Sequence, residues 1–111
     1  MKYLCLAYGS EEDWNKLTKE EQDSLLAQDE VIRSKGGKIA SVETNVTTVT
    51  AWDGVPSTSN QPYVALKSPL VGFSIIEAAS LDEVIALVKD TPCARAKGAI
   101  EIRPIWGTNN L

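Results

Sequence analysis

Apolar residues fall into two kinds of run along this chain. From Lys2 to Tyr8 they are nearly continuous (KYLCLAY) and stop at Gly9-Ser10, which predicts a strand covered on both faces. A polar loop containing Trp14 follows. At Thr18-Lys19-Glu20-Glu21 the pattern becomes helical: the threonine hydroxyl caps the first turn while Glu21 reaches back, and the helix runs to about Lys35, where Gly36-Gly37 ends it. Leu25, Gln28 and Ile32 share a face of this helix at spacings of three and four, with Val31 at its flank. Gln28 is thus a polar residue in the middle of an apolar stripe. A buried amide left unpaired costs roughly 1–3 kcal/mol, so it either pairs with protein or water, or lines a cavity.

Lys38 to Glu43 and Val46 to Trp52 read as strands, and Asp53-Gly54 as a turn leading to a short extended piece around Val55. Residues 56–62 (PSTSNQP) form a polar loop bounded by prolines, and Pro69 marks another break. Gly72 to Ala78 is a strongly apolar strand. Ser80-Leu81-Asp82-Glu83 is a second capping box, opening a helix with Leu81, Val84, Ile85 and Val88 on one face and a stop near Asp90, because Pro92 cannot continue it. The last strand, Ala99 to Pro104, turns Ile100 and Ile102 inward and Glu101 and Arg103 outward. Residues 107–111 read as a loose tail after a single domain of residues 1–106.

This order predicts an α+β domain. It is a ferredoxin-like β-α-β-β-α-β arrangement with an antiparallel sheet and an extra central strand or arm. Both helices cover one sheet face. Apolar residues at both parities, as in Tyr3-Leu4-Cys5-Leu6 and in Phe73, Ile75 and Ile76, call for a cover on the other face too, and a second subunit is the simplest one.

Composition narrows the function. The 111 residues carry 11 basic and 15 acidic side chains, a net charge of −4 with no basic stripe, which argues against nucleic acid and against an anionic membrane surface as partners. The apolar stretch at the N-terminus is too short for a signal-peptide core, and no run approaches the length of a spanning helix, so the expectation is a soluble, cytoplasmic protein. With no histidine and no Cys-x-x-Cys, imidazole-built metal or haem sites are absent, and no cofactor is expected. Cys5 and Cys93 read as reduced thiols, and a disulfide between them is not fixed by spacing.

The chain resembles the YCII-related family from Met1 to about Trp106. MKYLCLAYG is similar to that family's first strand, and LDEVIALVKDTPCARAKGAIEIRPI to its last helix, turn and closing strand, including Arg95, Glu101 and Arg103. SNQPYVALKSPLVGF, residues 59–73, lies where members carry an Asp-Gly-Pro-Phe motif, a lysine and a Gly-Phe strand; Pro62, Lys67, Gly72 and Phe73 match. The resemblance implies a dimeric α/β barrel. It also implies a histidine on the first helix acting with the motif aspartate as an acid–base pair. Here Gln28 is taken to hold the histidine position and Asn60 the aspartate position, with Gln61 and Tyr63 in place of the motif's glycine and phenylalanine. Amides neither take nor give a proton near neutral pH, so that pair is missing, although both amides are able to hydrogen-bond a ligand.

Two functions remain open. The first is a binding or regulatory module without catalysis. It uses the cleft between the first helix and residues 59–63, with Gln28, Asn60, Gln61, Tyr63, Lys67, Arg95 and Arg103 as candidate ligand-binding residues, or it uses its dimer surface. Some relatives accompany alternative sigma factors, so the resemblance allows such a protein partner beside a homodimer and a small ligand. The second is a small enzyme acting on a small organic molecule in that cleft, with Lys67, Tyr63 or Glu101 moving the proton.

Overall fold

The sheet is built around its first strand. In a computed structural model describing residues 1–107, β1 (Lys2–Tyr8) sits between β5 (Leu70–Glu77) and β6 (Ala99–Pro104), antiparallel to both, and β2 (Lys38–Ser41) pairs with the far edge of β5. The sheet order is therefore β2-β5-β1-β6. Both long connections cross on one face: α2 (Lys19–Ser34) between β1 and β2, and α3 (Leu81–Val88) between β5 and β6. This is the β-α-β-β-α-β order that the sequence predicts. Thr18 caps α2 as read, its hydroxyl accepting from the Glu21 N–H while the Glu21 carboxylate accepts from the Thr18 N–H. The second box forms with one change: Ser80 caps α3, but Glu83 reaches back to the N–H of Ala79 rather than that of Ser80.

The core lies between helices and sheet. Tyr3 and Cys5 of β1, Ile76 of β5, Ile32 of α2, and Val84 and Val88 of α3 are buried there, with Ile39, Ile100 and Ile102 packed beside them. Leu81 and Ile85, read as part of the apolar face of α3, are exposed instead; Val84 and Val88 are the buried residues of this helix, and Leu87 packs beside them. The opposite sheet face carries Leu4, Leu6, Phe73 and Ile75, paired in register Leu4↔Ile75 and Leu6↔Phe73, and all four are half-exposed with no helix over them.

Two short helices escape the sequence reading. They are α1 (Glu11–Asn15), started by Ser10, and α4 (Pro92–Arg95), which begins with its proline at a first-turn position where the missing N–H costs nothing. Between β2 and β5 the chain leaves the body as an arm. There β3 (Thr48–Thr50) pairs only with β4 (Ser57–Ser59), across a turn with Asp53 and Gly54 both at positive φ. The turn is where Asp53-Gly54 predicts it, but the strands are shorter than read and the return strand starts at Ser57 rather than around Val55. The arm makes the molecule long, 50 × 36 × 18 Å. Its radius of gyration is 15.7 Å, against about 13 Å for a compact chain of this length. No helix among the described residues is long and apolar enough to cross a membrane. The tail read over 107–111 lies, beyond Gly107, outside the described residues.

Candidate functional site

The helix-covered sheet face tapers. Its successive cross-strand pairs on β1 and β5 are Tyr3↔Ile76, Cys5↔Ser74 and Ala7↔Gly72, falling from two large side chains to almost none. The large end fills the core against α3. At the small end the helices stand off from the sheet, and a cavity of about 480 Å³ opens between Ala7, Gly72 and Ser74 below and α1, α2 and α4 around it. This volume falls in the range of small-molecule sites, about 300–1,000 Å³. Gly72 is required there for a second reason: a Cβ would come within 2.9 Å of the Ala40 carbonyl on β2.

Three elements place the polar groups. Ser10 caps α1, accepting from the Asp13 N–H at 3.1 Å, and α1 carries Glu11 and Trp14 to the rim. Gln22 of α2 fastens α1 by donating to the Trp14 carbonyl at 2.9 Å. On α2, Leu26, Asp29 and Ile32 follow one another at spacings of three and line the cavity. On the other side, α4 brings Cys93 so close to the chain that its Sγ would be 3.1 Å from a Cβ on Gly9.

Asp29 is the half-buried acid of this site, and among the described residues it makes no salt bridge. Burial lifts its carboxyl above the ordinary carboxylate range; Arg33 opposes the shift and Glu30 adds to it. Burial also raises the Cys93 thiol, and the Asp29 charge raises it further. Cys5 is raised by burial, with a hydrogen bond to Ser74 working against it. Both cysteines are free thiols. The arrangement offers an apolar chamber with one half-buried carboxyl, Asp29, able to accept a hydrogen bond or a proton, and a second, exposed one, Glu11, at its rim. Among the described residues no group of three metal-ligating side chains converges.

The residues singled out from sequence lie outside this cavity, and no single cleft gathers Gln28, residues 60–63 and the two arginines. Gln28 is half-buried and hydrogen-bonded, as its place on the stripe requires, but its Nε2 donates to the Leu87 carbonyl of α3 at 2.7 Å, away from the cavity. Asn60, Gln61 and Tyr63 are exposed on the arm, where the Gln61 carbonyl accepts from Thr48 Oγ1 at 2.6 Å and its N–H donates to Ser59 Oγ at 3.0 Å. Lys67 borders a separate, smaller depression with Tyr8, Lys97 and Glu101. Arg95 pairs with Asp90 at 2.7 Å, and Arg103 with Glu101 at 3.0 Å, whose carboxylate also accepts from the Tyr8 hydroxyl. Sequence reasoning missed Asp29 and Cys93. Asp29 stands four residues after Leu25 and three before Ile32, which is as good a place between two buried residues as that of Gln28, three after and four before.

Comparison with known proteins sets this geometry among relatives. Residues 1–109 match the model of the YCII-related domain. An uncharacterized protein of Rhizobium meliloti (strain 1021) is 29% identical over 114 aligned positions, covering 95% of this chain and 92% of that protein. Among solved structures, the 5-chloro-2-hydroxyhydroquinone dehydrochlorinase of Burkholderia phenoliruptrix, in complex with 2,5-dihydroxybenzoquinone, superposes with a TM-score of 0.50 at 20% identity, covering 95% of this chain and 93% of that one. At that identity the likeness is one of fold.

Proposed function

We propose that this chain, which belongs to the YCII-related domain family, binds a small, largely apolar organic molecule in the cavity between α1, α2, α4 and the sheet. One observation carries this reading: the tapering pairs Tyr3↔Ile76, Cys5↔Ser74 and Ala7↔Gly72 leave a chamber inside a single chain, walled by apolar groups and holding one half-buried carboxyl. The histidine–aspartate chemistry implied by the resemblance has no counterpart in the residues Gln28 and Asn60. The half-exposed Leu4, Leu6, Phe73 and Ile75 support a homodimer formed through the uncovered sheet face, which light scattering should report as twice the monomer mass. The two free thiols fit a reducing compartment, so we place the protein in the cytoplasm.

Thermal unfolding against a panel of small ring compounds tests the binding reading, because a ligand that binds the folded state raises its melting temperature. Ala7→Leu should fill the cavity floor and remove the response while leaving the fold intact. A panel with no response, or a response that survives Ala7→Leu, refutes the reading. A second reading, catalysis, is favoured by Asp29 alone: a carboxyl whose burial makes it a stronger base is suited to taking a proton from a bound molecule. The Burkholderia enzyme of the same fold is a dehydrochlorinase, so this scaffold accommodates chemistry on a ring. Transfer of solvent deuterium into a bound ligand, lost in Asp29→Asn, would establish it; binding without exchange leaves the binding module.

A further inference from the structure

We propose that the cavity selects a cationic ligand, an amine carried on a small apolar group, and rejects anions. This rests on the cavity being the ligand site and concerns the charge of what enters it. The ionisable side chains on its wall are Glu11, Asp29, Cys5 and Cys93, and none of them carries a positive charge. The cations nearby are committed elsewhere. Arg33, one turn beyond Asp29 on α2, is held by Glu30; Arg95 is held by Asp90; and Lys16 faces Glu12 and Asp13. Lys67 and Lys97 open onto the other depression.

A carboxylate or phosphate entering this chamber would leave water for a wall that offers apolar groups and two carboxylates, with no charged donor to receive it, which is a heavy desolvation cost. An ammonium meets the opposite situation. It brings three donors to the Asp29 carboxylate, which lacks a salt-bridge partner among the described residues, and charge-assisted hydrogen bonds of that kind are about twice as strong as neutral ones. Trp14 adds an aromatic ring to the same wall, a further attraction for a cation close to it. A neutral alcohol of the same shape keeps the apolar contacts and one hydrogen bond but lacks the charge.

Calorimetric titration with 2-phenylethylamine, 2-phenylethanol and phenylacetate separates these contributions on the unmodified protein. The amine should bind about tenfold or more tightly than the alcohol, the scale of one charge-assisted hydrogen bond. Phenylacetate should not bind, and Asp29→Asn should bring the amine down to the alcohol. An alcohol that binds as well as the amine, or a carboxylate that binds best, overturns the charge selection and leaves the apolar cavity standing as the site. Failure of all three to bind overturns both readings together. The comparison among probes on the unmodified chain decides the matter even if Asp29→Asn does not fold.

Discussion

Replacing Gly98 by alanine should damage this fold far more than a single methyl group suggests. A Cβ there would lie 2.0 Å from the Tyr8 carbonyl oxygen, 2.8 Å from the Cys93 carbonyl oxygen and 3.1 Å from Gly9 Cα, all of them backbone atoms. Bringing the first to a 3.4 Å contact requires a retreat of 3.4 − 2.0 = 1.4 Å. That movement parts Tyr8 from Ala99 at the end of the β1–β6 ladder and strains the 3.0 Å hydrogen bond from the Gly98 N–H to Cys93, which fixes α4 to β6. Overpacking against an unyielding neighbour costs about 1–3 kcal/mol, and a weakened hydrogen bond adds about 1. For a domain of this size the loss corresponds to a fall of roughly 10–20 °C in melting temperature. Gly36→Ala is the proper control: its φ of +89° strains any side chain, but nothing lies within 4 Å of the new methyl. It should cost only about 1 kcal/mol. Melting curves followed by circular dichroism compare the two. If Gly98→Ala melts no lower than Gly36→Ala, the contact geometry at the β1–β6 junction has been misread.

Asp29 should make stability depend on pH in a fixed direction. Because burial raises its folded value above the unfolded one, its favourable contribution is complete below the unfolded carboxylate value of about 3.9 and is lost as pH rises through the folded value. Asp29→Asn should therefore melt above the parent at pH 7 and close to it near pH 3; an equal gap at both would refute the account. Gln28→Leu removes the donor to the Leu87 carbonyl and should cost about 0.5–1.5 kcal/mol in urea unfolding, with no change in ligand response, since this side chain faces α3 rather than the cavity. Cys93 should react with a thiol reagent more slowly than a free cysteine at pH 8, and Cys5 only on unfolding; a fast first thiol would contradict the half-burial of Cys93 and the burial of Cys5.

Much of the architecture is legible in the sequence because it is set by local chemistry. Thr18-x-x-Glu21 and Ser80-x-x-Glu83 start their helices, Gly36-Gly37 ends the first, and the runs at Lys2–Tyr8 and Ala99–Pro104 are strands to the residue. What is not legible depends on which elements meet. The four-residue α4 carries too little pattern to be told from a turn, yet it supplies a wall of the cavity. Gln28 and Asp29 both stand between Leu25 and Ile32, and only the position of α3, 59 residues along the chain from the Gln28 contact, decides that Gln28 bonds to it while Asp29 faces the chamber. The taper that makes the chamber was present in the letters: Tyr, Cys, Ala on one strand and Ile, Ser, Gly on the other. It becomes visible only once their antiparallel register is known.

The central position of β1 has a consequence for how the molecule is made. Leu4 pairs with Ile75 and with Arg103, partners 75 − 4 = 71 and 103 − 4 = 99 positions away. A strand that is synthesised early must wait for both neighbours, roughly 4–20 s at ordinary ribosomal speeds, while α2 with its own cap is free to form at once. Through that interval its apolar residues are exposed to other nascent chains and to chaperones. The same long closures predict slow folding for a domain this small. Chains interrupted before residue 70 should retain α2 but have no β5 or β6 with which to complete the sheet, making premature termination a sharper hazard here than in a bundle whose neighbours follow one another in sequence.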